Sequence, residues 1–137
     1  MIEITEKDIA NFEEDGVIKI KGAMTASQLD ELDRAIIPYL ANRKIINQIM
    51  FGDSKFFTQP NIWKTDPYFL KFVQQPVLID AAARLLKSNR INLLHDMLFV
   101  KSGGCKKEFG WHQDLSYIPI RGEMVISFWV ATENVSL

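Results

Sequence analysis

Trp111-His112-Gln113-Asp114-Leu115-Ser116-Tyr117-Ile118-Pro119 is the stretch on which the reading of this chain turns. His112 and Asp114 are separated by a single residue. In extended backbone, residues i and i+2 face the same side. An imidazole nitrogen and a carboxylate oxygen can then converge on one cation, and both suit iron(II). A second imidazole from a distant strand would complete a facial triad of two histidines and one carboxylate, with one face of the metal left open. The bland reading of such a pair is a strand end whose two side chains bond each other or nearby backbone. A hydrolytic zinc site is a further reading and needs a different third ligand.

The sequence around this stretch alternates between two characters. Upstream, residues 91–100 are apolar and branched and predict a long strand; downstream, residues 124–131 (Met-Val-Ile-Ser-Phe-Trp-Val-Ala) predict another. The first half reads as helix. Thr5 is a good N-cap, Ile9 and Phe12 give an apolar stripe, and Gly16 stops that helix. Residues 17–20 predict a short strand. A second helix is expected over 25–40, with Leu29, Leu32, Ile36 and Leu40 on one face and Pro38 kinking or ending it. Residues 41–57 are ambiguous, and Gly52-Asp53 marks a turn. A strand over 55–63 would place Gln59 and Asn61 on one face. Asp66-Pro67 and Pro76 each open a helix, the second running over 77–87. Helices first and strands second predict an α+β fold, or a barrel with a helical N-terminal buttress.

Composition sets the limits. The chain has 137 residues, 47% hydrophobic and 24% charged, which suits one compact globular domain. A formal net charge of −1 gives no electrostatic case for nucleic acid or an anionic membrane as partner. Its one cysteine, Cys105, cannot form an internal disulfide, so a reducing, cytoplasmic setting is expected. The acidic start does not resemble a signal peptide, and no apolar run is long enough to span a bilayer. Cys105 lies in a loop with Lys101, Lys106 and Lys107; these lysines read as a solvated loop and only secondarily as a meeting point for an acidic substrate.

With its flanks, the His112 stretch resembles the phytanoyl-CoA dioxygenase family. The resemblance rests on Trp111 to Pro119, on Phe128-Trp129-Val130-Ala131, on Glu133-Asn134-Val135-Ser136, and on His95-Asp96-Met97-Leu98-Phe99-Val100-Lys101 before a glycine loop. The opening Phe12-Glu13-Glu14-Asp15-Gly16-Val17-Ile18 is similar as well. The resemblance implies a double-stranded β-helix, or jelly roll, flanked by helices. It implies Fe(II)-dependent hydroxylation of a small organic or acyl substrate, with 2-oxoglutarate converted to succinate and carbon dioxide. On this reading His112 and Asp114 are metal ligands. Met97 and Trp129 match positions lining the 2-oxoglutarate pocket, and Gln59 or Asn61 fills a polar position on an earlier strand.

Two residues of that pattern are missing. The family expects a second histidine ligand and an arginine for the distal carboxylate of 2-oxoglutarate, a planar bidentate task. The sequence reaches Leu137 before either. His95, the other histidine, lies upstream and reads as a packed strand residue. Residues 1–137 are therefore expected to be a single domain, the N-terminal portion of a phytanoyl-CoA dioxygenase-like domain whose C-terminal strands are absent, with little activity alone. The alternative is a non-catalytic jelly-roll-like binding module that keeps only the His-x-Asp pair. Tyr117 reads equally as a substrate-pocket residue or a strand cap.

Overall fold

The computed structural model describes residues 3–41, 55–122 and 124–133. Its elements are α1 (Glu6–Asp15), α2 (Ala26–Ala41), β1 (Phe56–Pro60), a 3-10 turn (Ile62–Lys64), α3 (Pro67–Val73), α4 (Pro76–Leu85), β2 (Met97–Lys101) and a second 3-10 turn (Asp114–Tyr117). Helices with a small antiparallel sheet make this an α+β chain. It divides into two compact units. One comprises Met1–Leu29, Gln74–Leu93 and Gln113–Leu137, the other Asp30–Val73 and Leu94–His112.

The helices form where local chemistry starts and stops them. Thr5 and Asp8 make a capping box: the Asp8 N–H donates to Thr5 Oγ1 at 3.2 Å, and the Thr5 N–H donates to Asp8 Oδ2 at 2.8 Å. Gly16, at φ 72°, ends α1 by donating its N–H to the Phe12 carbonyl. Thr25 and Gln28 repeat the box at the start of α2, with the Gln28 N–H on Thr25 Oγ1 at 3.2 Å and the Thr25 N–H on Gln28 Oε1 at 2.8 Å. Pro67 and Pro76 occupy the first positions of α3 and α4, where a missing N–H costs nothing. Pro38 does not end α2, which runs on to Ala41. Only one turn lies beyond it, so few backbone bonds are at stake.

In the first unit α1 packs on α4. Ile4, Ile9, Ala81 and Leu85 form the buried core, with Phe12, Ile18, Ile20 and Ile126 packed against it. Arg84 pairs with Glu6 at 2.9 Å, and Lys87 pairs with Glu13.

In the second unit β1 and β2 pair antiparallel, Phe56 opposite Lys101 and Pro60 opposite Met97. Residues directly opposite share a face. Phe56, Thr58, Pro60, Met97, Phe99 and Lys101 thus occupy one side, and Phe57, Gln59, Leu98 and Val100 the other. Bonds from Asn61 N–H to the Asp96 carbonyl and from Ser102 N–H to the Lys55 carbonyl, both 2.9 Å, close the two ends of the ladder. A second aromatic group lies on α2 and α3, where Tyr39 meets Phe69 edge-on and Tyr68 stacks on Phe72.

Four strand expectations need correction. Residues 17–20 are not strand; Ile18 and Ile20 instead cover the helical core as irregular chain. The strand expected over 55–63 stops at Pro60. Of the stretch 91–100, only the part from Met97 onward is strand. Residues 124–131 carry no strand among the described residues. A strand is defined by a partner's hydrogen bonds, and apolar branched residues supply propensity without supplying that partner. Of the ambiguous stretch 41–57, residues 42–54 lie outside the described residues.

Candidate functional site

Phe56 is, with Ile62, one of the two most enclosed large side chains among the described residues, 2% exposed. Its ring, that of Phe99 across the ladder and that of Phe109 form a triangle. Centroids are 6.4 Å apart for Phe56 and Phe99, 5.2 Å for Phe56 and Phe109, and 5.6 Å for Phe99 and Phe109. Lys101 Nζ lies 6.0 Å from the Phe109 centroid, within cation–π range. Past Phe109 the chain reaches Gly110, whose carbonyl lies 2.7 Å from His112 Nδ1. A carbonyl oxygen only accepts, so Nδ1 carries a proton in this contact. A backbone acceptor on one ring nitrogen is the usual arrangement of a histidine whose other nitrogen binds metal.

Asp114 begins the second 3-10 turn. Its Oδ2 accepts from Ser127 Oγ at 2.6 Å, a short charge-assisted bond. Between His112 and Asp114, Gln113 is extended (φ −110°, ψ 132°), the conformation that the i, i+2 reading requires. Among the described residues, no group of three or more His, Cys, Asp or Glu is placed to hold a metal ion. His112 and Asp114 are each a donor of the kind an iron(II) ligand set uses, an imidazole and a carboxylate, and each has an outer hydrogen bond.

The four positions expected near 2-oxoglutarate fare differently. Met97 opens β2, is 41% exposed and shares its face with Phe99. Gln59 is half-buried on the opposite face of the same sheet. Asn61 does not continue the strand. It sits in the left-handed region at φ 57° and leads into the 3-10 turn, so it does not share a strand face with Gln59. Trp129 is 78% exposed in the irregular stretch that precedes Ala131. Tyr117 is the last residue of the second 3-10 turn and is exposed. Cys105 is half-buried, its N–H bonded to the Ser102 carbonyl.

His95 is exposed and precedes β2, so it is not a packed strand histidine. The residue beside it carries the weight. Asp96 Oδ2 accepts the Trp63 N–H at 3.2 Å, while Asp96 Oδ1 and Trp63 Nε1 are buried with no hydrogen-bond partner. Burial pushes the Asp96 carboxyl above its ordinary range, against the lowering by backbone N–H bonds. Sequence reasoning missed Asp96, because its role depends on the turn after β1 meeting the start of β2. Near the same turn, Tyr39 donates its hydroxyl proton to Asp66 Oδ2 at 2.8 Å. Burial and that bond push the Tyr39 phenol up to about 12.

The chain matches the family model for Phytanoyl-CoA dioxygenase (PhyH) over residues 12–137. It belongs to the phytanoyl-CoA dioxygenase family. No curated protein and no solved structure matches it. Phytanoyl-CoA dioxygenases are in general Fe(II)- and 2-oxoglutarate-dependent oxidoreductases acting on small molecules. The match covers both the hairpin and the His112 stretch. None of the described helices is long and apolar enough to cross a membrane.

Proposed function

We propose that this chain contributes two iron ligands, His112 and Asp114, to a non-haem Fe(II), 2-oxoglutarate-dependent dioxygenase that hydroxylates a small organic or acyl substrate in the cytoplasm. The observation that carries the reading is the His112-x-Asp114 pair inside the family match, with an outer hydrogen bond on each donor. Bound iron would supply dioxygen activation coupled to decarboxylation of 2-oxoglutarate. The chain's own residues hold and orient. Gly110 fixes the His112 tautomer so that Nε2 donates. Ser127 fixes the Asp114 carboxylate and offsets its charge. Met97 would line the 2-oxoglutarate pocket from the Phe99 face of the sheet, and Gln59, on the opposite face, would not share that pocket.

The chain has two histidines, and His95 stands upstream of the position a distal ligand takes. The second histidine ligand, and an arginine for the distal carboxylate, are then supplied from outside residues 1–137. In this reading residues 1–137 are the N-terminal portion of one dioxygenase domain of double-stranded β-helix type.

Reading the coding DNA past Leu137 is the first test. An open frame carrying a histidine and then an arginine on strand-like segments supports an enzyme. A stop codon directly after Leu137 leaves a binding module that keeps the ligand pair. The second test is succinate release from 2-oxoglutarate with Fe(II). The full gene product should release succinate, and H112A or D114A should abolish it. Residues 1–137 alone should release little or none, and a clear yield from them would overturn the need for an outside ligand.

A further inference from the structure

We propose that Phe109 is a positioning residue for His112, an inference that rests on His112 being a metal ligand. Between the hairpin and the imidazole lie Glu108, Phe109, Gly110 and Trp111. Glu108 is exposed, and Trp111 is fully exposed. Gly110 has nothing within 4 Å of where a Cβ would stand, and glycine is the residue least able to hold its own conformation. Among the described residues, Phe109 is the one of these four that ring contacts tie to the sheet. It sits against Phe56 and Phe99, with Lys101 Nζ 6.0 Å from its ring. Edge-to-face pairs of this kind carry attraction beyond their burial. The next residue supplies the carbonyl that holds His112 Nδ1. The rigidity of the β1–β2 pairing is thus passed through one ring and one peptide group to the tautomer of the ligand. Phe109 is itself 50% exposed, so it is not a core residue on which folding depends.

The test uses the full gene product, with an H112Q variant whose missing signal assigns the His112 imidazole. Nitrogen-15 NMR of the imidazole, at a pH where it is neutral, reads which ring nitrogen carries the proton. The parent should hold His112 with the proton on Nδ1. F109A should release it toward the Nε2-protonated form that water favours, and F109Y, which keeps the ring, should restore it. Co(II) titration is the second readout: F109A should weaken binding by about tenfold, the usual cost of losing support around a ligand, and F109Y should recover it. An unchanged tautomer in F109A overturns the positioning role, whatever happens to the metal. A tautomer that shifts as expected in a protein whose parent binds no Co(II) upholds the positioning of the imidazole and sinks the metal reading instead.

Discussion

The two units of the chain are held by different physics. The first is aliphatic and helical: Ile4, Ile9, Ala81 and Leu85 bury small side chains between α1 and α4. Helices satisfy their backbone groups internally, so this core needs only apolar stripes that face each other. The second is aromatic and built on a sheet. Each strand of the ladder bonds the other along one edge. The Phe56, Phe99 and Phe109 rings lie on the face where Phe56 pairs with Lys101. A two-stranded sheet is marginal by itself, so the enclosed Phe56 ring matters more to the ladder than any one aliphatic residue matters to the helices. The second unit is also the one that sets the His112 imidazole.

That comparison can be broken by truncating one large buried side chain in each core. F56A should cost about 4 kcal/mol, because it removes a buried ring and the surface against which two others rest. L85A should cost about 3 kcal/mol. Amide hydrogen exchange separates them. F56A should speed exchange at 56–60 and 97–101 most, and L85A in α1 and α4. Equal effects on both sets of amides would mean that the two cores do not open separately.

The next smaller effect concerns Tyr39. Its hydroxyl donates to Asp66, so Y39F leaves a carboxylate short of a donor and should cost about 2 kcal/mol at neutral pH. The phenol holds its proton up to about 12 in the fold against 10.0 ordinarily. The folded value is raised, so the contribution is complete below pH 10.0, shrinks as pH rises through the folded value and is gone above it. Denaturant unfolding of parent and Y39F should therefore converge over that window. A gap that does not change with pH would show that the phenol proton is not shared with Asp66.

Much of the helical part was legible because its signals are local. Thr5, Gly16, Pro67 and Pro76 each mark a helix end within a few residues of the bonds they make. The strands were harder. Residues 91–100 and 124–131 read alike, yet among the described residues only the end of the first pairs, Met97–Lys101 with Phe56–Pro60, and pairing is a property of two distant segments. The candidate ligands were legible as a motif, since His-x-Asp is a spacing. What holds them was not. Phe109 gains a role only when the ladder brings Phe56 and Phe99 side by side, and Asp96 only when the turn after Pro60 comes to meet it. His95 drew attention because histidines are rare here, while its neighbour bears the contacts.

The smallest test probes whether the helical unit owes its shape to its caps or to its core. Thr5 Oγ1 accepts the Asp8 N–H, so T5A leaves that N–H to water and should cost about 1 kcal/mol. The hydroxyl and N–H of Thr5 also donate to Asp8 Oδ2, which holds the Asp8 carboxyl below its ordinary value. A lowered folded value means the contribution is present above pH 3.8 and fades as pH falls through the folded value. The gap between parent and T5A should thus be widest near neutrality and narrow in acid. Helix α1 should survive the change, since Ile9 still anchors it to Ala81 and Leu85. Loss of α1 by circular dichroism in T5A, with the L85A variant retaining it, would reverse that order and make the cap rather than the aliphatic core the determinant of this unit.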